Sequence, residues 1–367
     1  MGPELQPGNS RGHCGWLRSA GRFSCFVLPG ALLLACAPPQ PATPQARLEE
    51  QPSGAVTLLQ AVSVVDSSVV WVSGHGGTFA RTTDGGRTWR TGVVPDAESL
   101  QFRDVHAADA ATAWLLAAGP GELSRVYRTV DAGATWELQW VNEEPAGFYD
   151  CLDFWDERRG FLYGDAVDGS LRVLVTDDAG GSWRRLSGDA LPAALPGEGG
   201  FAASGTCALT GRGGRAWIAA GNAERVRVFR SEDFGRTWLA SDAPVVAGEG
   251  AGLTSISMVD ERRGTAFGGD ISGARPGDRV IRTEDGGRTW RALPAPPGET
   301  PIFGGAHVPE MLDVLVTVGP AGAYASWDGG SSWTLIDGRP WWGVGSGGET
   351  ATWIAGPEGR VARLRLR

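Results

Sequence analysis

The chain has 367 residues, a formal net charge of −9 and no lysine, so all 33 basic residues are arginine. The acidic balance and the lack of a basic stripe exclude phosphate neutralisation as a main role, and with it nucleic-acid binding; without lysine there is no Schiff-base chemistry. Glycine (56) and tryptophan (16) are abundant, and regular turn signals between short apolar runs suit an all-β fold built from hairpins.

Residues 1–35 read as a leader. Arg11, Arg18 and Arg22 precede an apolar run, Phe23–Ala35, which is too short to span a membrane and is laid out like a secretory signal. Leu33-Leu34-Ala35-Cys36 resembles a bacterial lipobox, which implies cleavage before Cys36 and lipid attachment there. The alternative is an ordinary signal peptide with a coincidental cysteine. Residues 36–46, rich in Pro, Gln and Ala, read as a flexible tether, and 47–367 as one folded domain. The expectation is an exported, periplasmic or cell-surface monomer whose sole membrane attachment is the N-terminal anchor. Cys14 and Cys25 fall in the leader, leaving Cys151 and Cys207 in the domain. An oxidising compartment permits a disulfide between them; two separate buried thiols are the other reading.

The domain is organised by an eight-residue stretch, Ser/Thr-x-Asp-x-Gly-x-Ser/Thr-Trp. It occurs at Thr82–Trp89, Thr129–Trp136, Thr176–Trp183, Ser231–Trp238, Thr283–Trp290 and Ser326–Trp333. Its aspartates, Asp84, Asp131, Asp178, Asp233, Asp285 and Asp328, are separated by 47, 47, 55, 52 and 43 residues, a period that signals a propeller or solenoid. Each copy reads as a tight turn between strands. Asp accepts hydrogen bonds from its own turn, Gly supplies a positive φ, and Trp packs on neighbouring sheet. The stretch resembles the Asp-box, or bacterial neuraminidase repeat, which implies a structural role on the rim away from the usual ligand face.

Upstream of each turn an apolar strand ends in glycine, at Gly74, Gly119, Gly164, Gly221, Gly269 and Gly319, and a seventh such strand ends at Gly356. Six repeats, approximately 55–94, 100–141, 148–187, 201–241, 252–293 and 302–337, thus hold four strands each. The seventh, 342–367, holds three. Because an open sheet edge is a liability, residues 46–53 are expected to supply the missing strand, giving a closed seven-bladed β-propeller of four-stranded blades.

In such a fold the second-to-third strand turns and the inter-blade connections share the mouth of a central channel. The polar residues expected there are His75, Arg103, Asp104, Asp150, Asp153, Asp165, Asp168, Glu198, Ser204, Asn222 and Asp270. They form either a ligand or partner surface or a solvated rim.

Catalytic constellations are not found. A sialidase needs an arginine cluster, a Tyr–Glu pair and a Phe-Arg-Ile-Pro motif ahead of the first box; the nearest match, Phe102-Arg103-Asp104-Val105, follows it with the wrong tail. There is no Gly-x-Ser-x-Gly elbow before a helix. His75, His106 and His307 lie in different repeats without metal-ligand spacing, and no dinucleotide or haem fingerprint is present. Neither cofactor nor metal is therefore expected.

Residues 55–365 as a whole resemble the photosystem II stability and assembly factor family. The resemblance is carried by the boxes, the Gly-ended strands and the D-E-R-R-G turns at Asp156–Gly160 and Asp260–Gly264. It implies a non-catalytic platform that holds a protein or envelope component through an arginine-rich patch, to which Arg158, Arg159, Arg262 and Arg263 would contribute; the other reading of these four is ordinary solubilisation of their turns. Some relatives carry an oxidoreductase label for which no chemical basis is visible here. The competing expectation is an envelope enzyme acting on glycans or another small molecule at the mouth, with Asp150 and Asp270 as its carboxylates.

Overall fold

The computed structural model describes residues 45–348 and 351–366, together with Gly2. The rest of the leader, Cys36 and nearly all of the tether lie outside the described residues. From Ala46 onward the chain forms seven antiparallel four-stranded sheets. The first six are consecutive meanders, as in blade 1: Leu59–Val64, Val70–Gly74, Thr78–Thr82 and Arg90–Val93. The innermost strands neighbour one another in sequence order, and that of blade 7, Gly343–Gly347, returns to Leu59–Val64. The ring is closed.

Closure is made as expected by the N-terminal segment. Strand Ala46–Gln51 pairs antiparallel with Val361–Leu366, from Ala46 opposite Leu366 to Gln51 opposite Val361. Ser53 Oγ then donates to Gly359 O at 2.6 Å. Pairing the last strand with the first segment removes the free edge that a three-stranded blade would leave.

The core lies between blades. Second-strand aromatics Trp71, Trp114, Phe161 and Trp353 are fully buried, and several reach the next blade's turns. Trp114 Nε1 donates to Ala179 O at 2.9 Å and Trp217 Nε1 to Gly286 O at 2.9 Å. The Asp turns repeat one hydrogen-bond pattern. In the first, Thr88 N and Thr82 Oγ1 each donate to Asp84 Oδ1 at 2.9 Å, Thr88 Oγ1 donates to Asp84 Oδ2 at 2.6 Å, and Gly86 N donates to Thr82 Oγ1 at 2.9 Å. The Thr88 hydroxyl and N–H hold the Asp84 carboxyl down at about 2. Glycine at position 86 serves two ends: its φ is +89°, and a Cβ there would strike the Trp353 ring of blade 7. These turns lie at the opposite end of the blades from the channel mouth, and their aspartates are consumed within their own turns.

Candidate functional site: the plugged channel mouth

Inner strands run from the mouth to the turn face. In blades 1, 2, 3 and 5 the pairing of inner and second strand slips by one residue just inside the mouth, leaving Gln60, Arg103, Asp150 and Thr254 unpaired at equivalent positions. A bulge re-aims the side chain of the extra residue, so four blades place a polar group at the same level of the channel.

One of these groups, Gln60, holds a plug. Residues 186–207 join blades 3 and 4, and their last part crosses the channel. Gln60 Nε2 donates to Ala202 O at 2.7 Å and to Ala203 O at 3.1 Å. Ser204 Oγ donates to Phe303 O of blade 6 at 2.7 Å, and Thr206 Oγ1 to Ser255 Oγ of blade 5 at 2.8 Å. Gly205 has φ +70°, and any Cβ there would run into Asp104 of blade 2 and Ala61 of blade 1. Immediately after the plug, Cys207 is bridged to Cys151 of blade 3, which decides between the two cysteine readings. Below the plug is a chamber of about 270 Å3 lined by residues of all seven blades, with Gly205 and Thr206 among them.

The predicted mouth residues therefore separate into groups. Asp104 and Ser204 are buried and structural. The Asp104 carboxyl accepts from Val105 N at 2.7 Å and, across the blade boundary, from Leu152 N at 2.8 Å; burial pushes its proton affinity well up. Glu198 forms a buried bidentate ion pair with Arg227, whose Nε donates at 2.8 Å. Arg227 Nη2 also donates to Ala193 O at 2.9 Å, so the pair ties down the connection that leads into the plug. Asn222, at φ +63°, accepts from Gly250 N at 3.0 Å and donates to Gly200 O at 3.3 Å. Asp270 is taken up by its own loop: Ser272 Oγ donates at 2.7 Å and Arg275 Nε at 2.7 Å, which hold its carboxyl at about 2. Asp168 occupies the positive-φ position of a two-residue Asp-Gly hairpin. Asp153 is at the other end of its strand, because Tyr149–Phe154 runs from the mouth to the turn face.

His75, Arg103, Asp150 and Asp165 come together. His75 Nε2 lies 2.9 Å from Gln60 Oε1; burial, then the charge of Arg103, lowers its proton affinity. Asp150 is pushed well above the carboxylate range by burial and by the charge of Asp165, and Asp165 is raised by burial to about 6. Asp150 Oδ2 has no partner while both acids are ionised; a proton held on Asp150 turns it into a donor toward Asp165. Both acids face backbone. Gly200 N donates to Asp165 Oδ1 at 3.0 Å, and a Cβ on Gly200 would lie 2.7 Å from Asp150 Oδ2 and 2.9 Å from the Tyr163 ring.

Arg103 is left without a carboxylate. Its Nε and Nη2 both donate to Gln101 Oε1, at 3.0 and 2.5 Å; it forms no ion pair among the described residues, and its acidic neighbour Asp150 is a carboxyl whose proton affinity burial pushes up. Burial lowers the proton affinity of Arg103 itself. A half-buried guanidinium with unused N–H groups is a site for a carboxylate that the protein itself does not supply. Gln60, Gln101, Tyr163 and Arg227 were not legible as site residues in the sequence; a register shift that no composition signal marks puts Gln60 in place.

The arginines of the two D-E-R-R-G turns are largely satisfied locally. Asp156 Oδ1 accepts from Arg158 N and Arg159 N, and its Oδ2 from Arg159 Nη2 at 2.6 Å. Arg159 lies 3.7 Å over the Phe234 ring, and Arg263 Nε donates to Asp260 at 2.8 Å.

Seven closed four-stranded blades define the chain as a seven-bladed β-propeller with a plugged channel. In fold it is similar to YCF48. It matches the structure of YCF48 bound to D1 peptide at TM-score 0.58 and 14% identity, over 88% of this chain and 96% of that one. YCF48 from Cyanidioschyzon merolae matches at TM-score 0.60 and 15% identity, over 86% and 98%. A GH74 xyloglucanase from Xanthomonas campestris matches at TM-score 0.57 and 16% identity, over 81% of this chain but 51% of that one. No family model and no curated protein matches the sequence.

Proposed function

We propose that this propeller is a non-catalytic platform that binds a protein partner at its channel mouth, with Arg103 receiving a carboxylate of that partner. The observation that carries the reading is the half-buried Arg103 guanidinium, which bonds only Gln101 and forms no ion pair among the described residues. YCF48, whose fold this chain shares, has been seen with a peptide, which supports a peptide-like occupant here. The reading includes export and attachment through a lipid on Cys36.

A glycan-cleaving enzyme at the mouth is less well supported. Glycosidases keep two carboxyls about 5–10 Å apart around the scissile bond. Here Asp150 and Asp165 are packed against the backbone of Gly199 and Gly200, and Asp270 is bound to Arg275 and Ser272. The test is affinity capture from detergent-solubilised host membranes with residues 36–367 as bait, alongside Arg103→Ala of equal thermal stability. A partner retained by the first bait and lost by the second is expected. Equal capture by both would overturn the role of Arg103, and no capture by either would overturn the platform.

A further inference from the structure

The turn face carries a cleft that the mouth does not explain. It is about 880 Å3, lies between blades 2 and 3, and is lined among others by His106, Ala107, Ala108, Phe154, Trp155 and Arg158. His106 lines the chamber below the plug as well. Its Nδ1 is 2.6 Å from Asp153 Oδ1. That carboxylate is fixed by two backbone donors, Phe154 N at 2.9 Å and Thr210 N at 2.6 Å. An acceptor-only carboxylate so placed takes a hydrogen bond from Nδ1, and the ring in its neutral form presents a lone pair at Nε2. Among the described residues Nε2 has no hydrogen-bond partner.

Around this acceptor the surface is aromatic and small. The imidazole packs on Phe154 at 5.3 Å and Trp114 at 5.9 Å between centroids. Trp155 is held by its Nε1, which donates to Arg215 O at 2.6 Å. Ala107 and Ala108 add no bulk. The two arginines of the rim are already engaged. Arg159 is paired with Asp156, and Arg158 Nη2 donates to Asp177 O at 3.2 Å.

We propose that this cleft binds a neutral aromatic ring bearing a hydrogen-bond donor, a phenol or an indole, which packs against Trp155 and donates to His106 Nε2. The ring arrives either as a free small molecule or as a Tyr or Trp side chain, the kind of anchor that fills interface pockets. The site is on the opposite face from Arg103 and does not depend on the reading of the mouth.

The test titrates N-acetyl-tyrosinamide and N-acetyl-phenylalaninamide into the folded chain and follows binding by saturation-transfer NMR. The tyrosine probe should bind about tenfold tighter, the worth of one hydrogen bond in a desolvated site. His106→Phe should remove that preference, and Arg103→Ala should leave it intact. Ala108→Phe, which fills the cleft without touching the His106–Asp153 pair, should weaken both probes and serves if His106→Phe does not fold. Equal affinities for the two probes, no saturation at the solubility limit, a preference that survives His106→Phe, or undiminished binding in Ala108→Phe would each overturn the proposal. Comparing 4-ethylphenol with the peptide Gly-Gly-Tyr-Gly-Gly separates the sources: a tighter peptide indicates a partner's side chain, and a tighter phenol a small molecule.

Discussion

Removing Arg227 should unseat the plug from outside the channel. Arg227 is 6% exposed and Glu198 is 1% exposed, so Arg227→Met leaves a carboxylate buried without its counter-ion. Breaking one side of such a pair costs about 3–5 kcal/mol, read as a fall of roughly 4–8 °C in Tm for a domain of this size. Glu198→Met strands the guanidinium at a similar cost. The double variant removes both charges. Its remaining losses are the donor Leu195 N, which gives to Glu198 Oε2 at 3.0 Å, and the acceptor Ala193 O, together about 1–2 kcal/mol. Urea unfolding of the four proteins at pH 7, followed by tryptophan fluorescence, should therefore give a coupling of about 3 kcal/mol or more. Hydrogen exchange over residues 198–206 should rise in each single variant and fall back in the double. Additive costs, or single variants within about 0.5 kcal/mol of wild type, would refute the assignment of Glu198 to structure and return it to the ligand surface.

The Asp150–Asp165 pair makes stability depend on pH. Asp165 binds its proton more tightly folded, at about 6, than its ordinary 3.8, so its contribution is complete below about pH 4 and is lost as pH rises through 6. Asp165→Asn should be about 3 kcal/mol more stable than wild type at pH 8 and equal to it near pH 3.5, measured as urea midpoints across that range; a variant less stable at pH 8 contradicts the shared proton. Leu48→Asp places a charge in the closing strand, where Leu48 packs against the core of blades 6 and 7. It should lower Tm and raise exchange in Val361–Leu366 first, and uniform exchange would argue against closure by residues 46–51. The bridge of Cys151 and Cys207 closes a loop with a sequence separation of 56, worth about 4 kcal/mol by chain entropy. The double Ala variant should lose that stability and expose residues 202–206 to exchange, whereas unchanged melting would mean that the plug is held without it.

The architecture was legible because it repeats. Six Asp turns and seven Gly-ended strands fixed the number of blades, and the missing strand of the last repeat pointed to residues 46–53. The mouth was legible only in part. The bulges at Gln60, Arg103 and Asp150 leave the local composition unchanged while shifting side chains by one position. The plug announced itself only as the longest step between turns, from Asp178 to Asp233, and as the small residues of Ala202-Ala203-Ser204-Gly205-Thr206. Ser204, Asp104 and Glu198 have the composition of a polar rim, and only tertiary placement shows that their partners lie within the fold. His106 and Asp153 are 47 residues apart in sequence and meet at 2.6 Å, because successive inner strands put equivalent positions side by side.

The most direct test of the account is site-specific photo-crosslinking in the native host. A photoreactive residue at position 75 stands beside Arg103 at the mouth, and one at position 87 stands in the first Asp turn on the opposite face. The account predicts a discrete protein adduct from position 75, absent from position 87 and lost when Arg103→Ala is added. Adducts of the same size from both positions, or an adduct at position 75 that persists without Arg103, would contradict a binding mouth centred on that guanidinium.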